Sequence, residues 1–186
     1  GVHLALCLII ATIPVVIIGL VLRVTGLYDF VRSLAVMGWA MIGFGILLWW
    51  ADRNPKEIRT ASQWTMKDAV KLGLWQALAL IPGTSRAGIT ITGGLFAGYG
   101  REGAARIAMM MSIPTILASG AILSLDVIGT ANWELAKLSL MAAGFAFVAA
   151  LLALAFMMKL LQSVSFTPYV IYRIALGAVI LWFAYV

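Results

Sequence analysis

The sequence is short of most of what a soluble enzyme uses. Its 186 residues hold one cysteine, Cys7, which excludes a disulfide framework and any metal site built on several thiolates. Cys7 lies in an apolar run and reads as a small buried side chain. The one histidine, His3, stands near the start and is assigned no role. Charge is scarce: Asp, Glu, Lys and Arg together make up 11% of the chain, where a soluble domain carries about 25%. No Gly-x4-Gly-Lys stretch occurs, so a Walker-type nucleotide loop is excluded. The net charge of +6 comes from Lys and Arg placed mostly at the ends of apolar runs, with no basic groove interleaved with aromatics, so nucleic acid is not an expected partner.

What is abundant is apolar surface. Hydrophobic residues make up 63% of the chain and the mean hydropathy is +1.06. This is more than one buried core can absorb, and a helix needs only about 20 apolar residues to cross a bilayer. The expected fold class is therefore an all-α integral membrane bundle, a single membrane domain over residues 1–186, with the lipid bilayer as its constant partner. Spans are expected at about 4–22, 33–51, 107–125, 135–160 and 168–186. A polar connection is expected from Asp52 to Gln63. Gly1 falls almost directly at the start of an apolar run with no initiator Met, which reads as a fragment of a longer chain.

The stretch from 64 to 98 does not fit a span. Lys67, Asp68 and Lys71 occupy its first half, Pro82-Gly83 breaks it, and Gly88, Gly93, Gly94 and Gly98 follow. Two half-length apolar segments around a Pro-Gly break imply a re-entrant helix-loop-helix, a form that survives at membrane depth only where it is buried in protein or lines a wet cavity. With the 52–63 connection placed in the cytoplasm, nine basic residues, Arg173 among them, fall on that side and three on the other. The hairpin then enters from the cytoplasmic face. Thr12-Ile13-Pro14 and Ser112-Ile113-Pro114 echo one another inside two apolar runs, as in membrane proteins built from repeated halves.

The chemistry is concentrated at Pro82-Gly83-Thr84-Ser85-Arg86. An arginine flanked by apolar runs costs about 2.5–3.5 kcal/mol to insert and is functional by default. No Asp or Glu lies within fifteen residues of Arg86, so a local ion pair is not expected, and phosphate suits a guanidinium fork. Gly83, Thr84, Ser85 and Arg86 are the candidate phosphate-binding residues, with Arg86, Ser85 and Thr90 as the candidate catalytic set. Ser85 and Thr90 could equally satisfy backbone groups freed at the break, and Arg86 could pair with a helix C-terminus. Gly93, Gly94 and Gly98 read as helix-packing positions, Glu102 as an interfacial partner of Arg101, and Asp126 and Glu134 as loop charges.

At this point the sequence resembles the undecaprenyl-pyrophosphate phosphatase, or bacitracin-resistance, family. The resemblance rests on Gln76-Ala-Leu-Ala-Leu-Ile-Pro-Gly-Thr-Ser-Arg-Ala-Gly88, on Gly93-Gly94, on Ser112-Ile113-Pro114, and on Ser165-Phe166-Thr167-Pro168 with Tyr172-Arg173. It implies hydrolysis of a C55 polyprenyl pyrophosphate lipid to the monophosphate and inorganic phosphate, recycling the carrier for peptidoglycan synthesis and conferring bacitracin resistance. It implies an inverted-repeat bundle in the bacterial plasma membrane whose site opens toward the periplasm, and a divalent cation, Mg2+ or Ca2+. In it Arg86 matches the phosphate-binding arginine, and Ser85 and Thr90 match hydroxyl positions.

Two departures stand out. Ala87 occupies a position where the family usually has Ser. The family's first motif, with paired glutamates, a serine and a histidine, is not among these residues, and no Glu-x3-Glu occurs. No metal ligands are therefore expected in this chain, and the 186 residues alone are expected to be inactive. A lipid-phosphate flippase or small-anion transporter is the alternative reading, and association as a homodimer is left open.

Overall fold

The computed structural model describes residues 2–27, 32–54, 59–129, 133–160 and 164–186. Seven α-helices carry them: α1 (Val2–Thr25), α2 (Leu34–Arg53), α3 (Met66–Ala77), α4 (Arg86–Phe96), α5 (Arg101–Gly129), α6 (Trp133–Leu160) and α7 (Thr167–Tyr185). Among the described residues there is no strand, only one isolated parallel bridge between Arg59 and Tyr99. Four helices are long and apolar enough to cross a bilayer: α1, α2, α6 from Lys137, and α7. The chain is a multi-pass membrane protein. α5 carries Arg101, Glu102 and Arg106 in its first turns and stands apart from those four.

Small residues set the helix crossings, as expected where apolar helices gain nothing from leaving lipid and must instead pack closely. α2 packs on α7 at Gly38 and Gly177: a Cβ at Gly38 would come 2.6 Å from Leu181 Cγ, and one at Gly177 would come 3.0 Å from the Gly38 carbonyl. α1 packs on α3 at Gly73, where a Cβ would meet the Ala11 carbonyl at 2.6 Å and Pro14 at 3.0 Å. α4 packs on α5, with Gly94 against Ala104. Pro14 and Pro114 both sit inside continuous helices. Each of these helices therefore holds one arm of the broken segment, α1 against α3 and α5 against α4.

The broken segment itself is two short helices around a turn. Thr65 caps α3 with a reciprocal bond to Asp68. The helix tightens into a 3-10 turn at Leu78–Leu80, and the chain then reverses through Ile81 to Ser85 before α4 begins. Gly83 has φ +87 and sits so close to α2 that a Cβ would lie 2.4 Å from the Met37 carbonyl. Only glycine satisfies both demands. The base of the segment is tied by the Arg59–Tyr99 bridge, with Arg59 N donating to the Gly98 carbonyl at 2.9 Å and Gly100 N to the Arg59 carbonyl at 3.0 Å.

Three expectations about charge are corrected. Asp52 is not in a polar connection: it lies in the last turn of α2, is buried, and accepts from the Arg101 guanidinium and from the Phe166 backbone N–H at 3.3 Å. Arg101 thus pairs with Asp52, not with its neighbour Glu102, because the close approach of α2, α5 and the start of α7 offers it a desolvated carboxylate. Asp126 lies within α5 and Glu134 in the first turn of α6, neither in a loop. Residues 55–58, part of the expected connection, lie outside the described residues.

Candidate active site

The turn Ile81–Ser85 is fixed from outside itself. Arg173, on α7, is only 3% exposed, and its Nη2 donates to the carbonyls of Gly83 at 2.7 Å and Thr84 at 2.8 Å. These carbonyls belong to no helix, so a charged donor answers two backbone acceptors left by the break. The other terminal nitrogen, Nη1, is buried without a hydrogen-bond partner. It lies where a side chain on Gly88 would otherwise be, 2.8 Å from the position of a Cβ there. Thr84 Oγ1 and both side-chain polar atoms of Gln76 are likewise buried and unpartnered. Buried polar groups without partners are few in native proteins, and here two of them fall on the turn and on the arginine that holds it.

Ser85 is held in a strained conformation. Its φ of +66 is the one positive value among described non-glycine residues, a region that costs an L-residue about 1–2 kcal/mol. The strain orients the side chain as the N-cap of α4: Oγ accepts from Gly88 N at 3.2 Å and lies 3.1 Å from the Tyr169 hydroxyl. The first N–H groups of α4, at Arg86 and Ala87, precede any intrahelical partner and face the turn end of the helix dipole, where negative charge is favoured.

Arg86 opens α4 and is half-buried. Its Nη1 donates to the Ser112 carbonyl at 3.2 Å and to Thr115 Oγ1 at 3.1 Å, both next to Pro114 in α5. Among the described residues its partners are neutral, and the described ion pairs are Arg59–Asp68, Arg101–Asp52 and Lys137–Glu134. Thr90 is buried and bonds back to the Arg86 carbonyl at 2.9 Å. The structure therefore gathers Gly83, Thr84, Ser85 and Arg86 around one turn and places Thr90 one helical turn further, spent on the backbone. A cavity of about 390 Å³ borders the turn at Pro82, lined by Arg32, Ser33, Leu34, Met37, Ala79 and Leu80.

A second network sits at the base of the segment. The buried Asp68 carboxylate accepts from Arg59 Nη2 at 2.7 Å, Thr65 Oγ1 at 2.7 Å and Tyr99 OH at 2.8 Å. Burial alone would raise its pKa, but these three donors and the Arg59 charge outweigh it and hold the carboxyl down at about 2. Burial and the adjacent Asp68 carboxylate push the Tyr99 phenol up.

The family profile described as bacitracin resistance protein BacA matches residues 1–179. The chain belongs to this family. It is 63% identical to a protein of Roseobacter denitrificans named undecaprenyl-diphosphatase, over 185 residues that make up all of this chain and 69% of the relative. A protein of the same name from Dinoroseobacter shibae is 59% identical over the same shares, and one from Alteromonas mediterranea is 42% identical over 98% of this chain and 68% of the relative.

Within this BacA chain, reading along the sequence missed Arg173, which counted as one of the cytoplasmic-side charges. Its burial removes it from that count. The signal that marked Arg86, a guanidinium between apolar runs, was present at Arg173 as well. The residues around the turn do not suit a hard divalent cation. The Gly83 and Thr84 carbonyls are taken by Arg173, and no described Asp or Glu bonds to Ser85, Arg86 or Arg173. No described group of three His, Cys, Asp or Glu residues could hold a metal.

Proposed function

We propose that this chain supplies the phosphate clamp of an enzyme that hydrolyses undecaprenyl pyrophosphate, a C55 polyprenyl lipid, to the monophosphate and inorganic phosphate. The observation that carries this reading is the turn itself. Two arginines from different helices, Arg86 and Arg173, flank a helix N-terminus whose cap, Ser85, is strained into place, and no described carboxylate neutralises either. A pyrophosphate brings the missing negative charge. Arg173 Nη1, buried without an acceptor, offers a donor to a phosphate oxygen.

In the net reaction water's oxygen ends on the terminal phosphorus, the bond to the bridging oxygen breaks, the lipid monophosphate leaves with that oxygen, and the water's protons pass to the phosphate products and solvent. The arginines and the α4 N–H groups stabilise the charge that gathers on the terminal oxygens, in surroundings drier than bulk water. Positive charge held in advance on rigid helices needs no reorganisation as the bond breaks. The prenyl tail remains in lipid, and the cavity beside Pro82, apolar apart from Arg32 and Ser33, suits the tail's first units. The residues around the turn provide no acid, base or hard-metal site, so no step is assigned to a Mg2+ or Ca2+ ion. The site's opening to the periplasm of the bacterial plasma membrane belongs to the same proposal. The relatives' names favour a hydrolase over the flippase or anion-carrier alternative.

The test is phosphate release from undecaprenyl pyrophosphate by the full-length protein in detergent. Arg86→Ala is expected to lower kcat by roughly 100- to 1000-fold, the usual cost of one donor to a transition-state oxyanion. Arg86→Lys should recover little of it, because an ammonium cannot fork across two oxygens while also reaching Ser112 and Thr115. Near-wild-type turnover in the Lys variant would refute the clamp.

A further inference from the structure

Away from the turn, three soft ligand atoms meet where α1 crosses the start of α3. His3 and Cys7 are one helical turn apart on α1 and so share a face. Cys7 Sγ lies 3.6 Å from His3 Nε2 and 3.6 Å from Met66 Sδ, at the first position of α3. Cys7 is fully buried, Met66 is half-buried and His3 is exposed. We propose that His3, Cys7 and Met66 form a binding site for a single monovalent soft metal ion, copper(I).

The spacing supports this. With metal–sulfur bonds of about 2.3 Å and metal–nitrogen bonds of about 2.0 Å, three ligands in a trigonal plane stand about 3.7–4.0 Å apart. Both separations from Cys7 are within a few tenths of an ångström of that, so small side-chain adjustments bring the Cys7–His3 and Cys7–Met66 pairs to ligand spacing. The atom types decide the ion. A thiolate, a thioether and an imidazole favour copper(I), whereas Mg2+ and Ca2+ require oxygen ligands. Zinc takes a fourth ligand and has little use for a thioether.

Without metal, His3 Nε2 lies 2.8 Å from the Trp64 carbonyl and donates its proton there. On binding, the ring proton moves to Nδ1 and Nε2 turns from the carbonyl to the ion. The Cys7 thiol loses its proton to solvent as the sulfur–metal bond forms, with no change in oxidation state. The exposed imidazole provides the approach to a buried sulfur. The site lies on α1 and α3, apart from the Ser85–Arg86 turn, and does not depend on the proposed hydrolysis.

The experiment titrates the purified full-length protein with copper(I) against bicinchoninate, a chromophoric competitor. One ion per chain is expected to be withheld from the competitor. Cys7→Ser should weaken binding roughly 100-fold or more, and Met66→Leu and His3→Gln roughly 10-fold each. No withheld copper would overturn the site. Wild-type affinity in Met66→Leu or His3→Gln would overturn it too, since the thiolate would then act alone. Phosphate release by the metal-free Met66→Leu and His3→Gln variants shows that both are folded, which keeps a loss of copper binding from being a loss of structure.

Discussion

Arg173 Nη2 donates to the Gly83 carbonyl at 2.7 Å across 90 residues of sequence. That contact, with its companion to Thr84, turns a helix break into a rigid feature. Arg173→Met is expected to leave two carbonyls unmet, the half-buried one of Gly83 and the buried one of Thr84, with about 1–3 kcal/mol lost at the buried group. A fall in Tm in detergent, together with loss of phosphate release, checks it. Arg173→Lys should keep part of the stability and little of the turnover, because one ammonium cannot hold both carbonyls and still face the ligand.

Ser85 allows backbone strain to be separated from hydroxyl chemistry. Ser85→Gly removes the strain at φ +66 and also removes the cap on Gly88 N. These act in opposite directions and are each worth about 1 kcal/mol, so Tm should stay near wild type. Phosphate release is expected to fall at least roughly tenfold, through loss of a hydroxyl hydrogen bond to a phosphate oxygen. Full turnover in the Gly variant would limit the hydroxyl to capping.

Gly83→Ala should be the most damaging small substitution on the turn. The new Cβ meets the Met37 carbonyl, which is backbone and cannot rotate away, and φ +87 costs about 1–2 kcal/mol besides. Poor yield of folded protein and a lowered Tm are expected. Gly43, with open space around it, serves as the control, and Gly43→Ala should leave both unchanged.

Acid should loosen the base of the hairpin. The Asp68 carboxyl is lowered from 3.8 to about 2 in the folded protein. A depressed folded pKa means stability that is complete above the unfolded value and is lost as pH falls from about 4 toward about 2. The size is about 2 kcal/mol, from about 1.4 kcal/mol per pKa unit. Asp68→Asn should show a lower Tm at neutral pH and a flatter acid transition, measured by thermal unfolding across that range.

Much of the site was legible along the chain, because Pro82-Gly83 and an isolated Arg86 are local signals. The helix break, the capping serine and the packing at Gly93 and Gly94 follow from single-residue stereochemistry, whereas Gly98, expected to pack a helix, instead makes the turn after α4 at φ +87. Gly93 is one such packing glycine: a Cβ there would strike Trp75 at 2.5 Å. What was not legible depends on which helices cross. Asp52 reads as solvated until Arg101, 49 residues away, is brought against it. Arg173 reads as an interfacial charge until α7 lies over the turn. Thr90 matches a motif position, yet its hydroxyl is spent on the Arg86 carbonyl.

The hairpin is fastened at its root, by the Arg59–Tyr99 bridge, and again at its tip, by Arg173. A loop secured at both ends cannot swing aside like a door. A bulky lipid is then expected to reach the turn between the long helices, and locking two of those helices together should slow phosphate release while leaving the turn undisturbed.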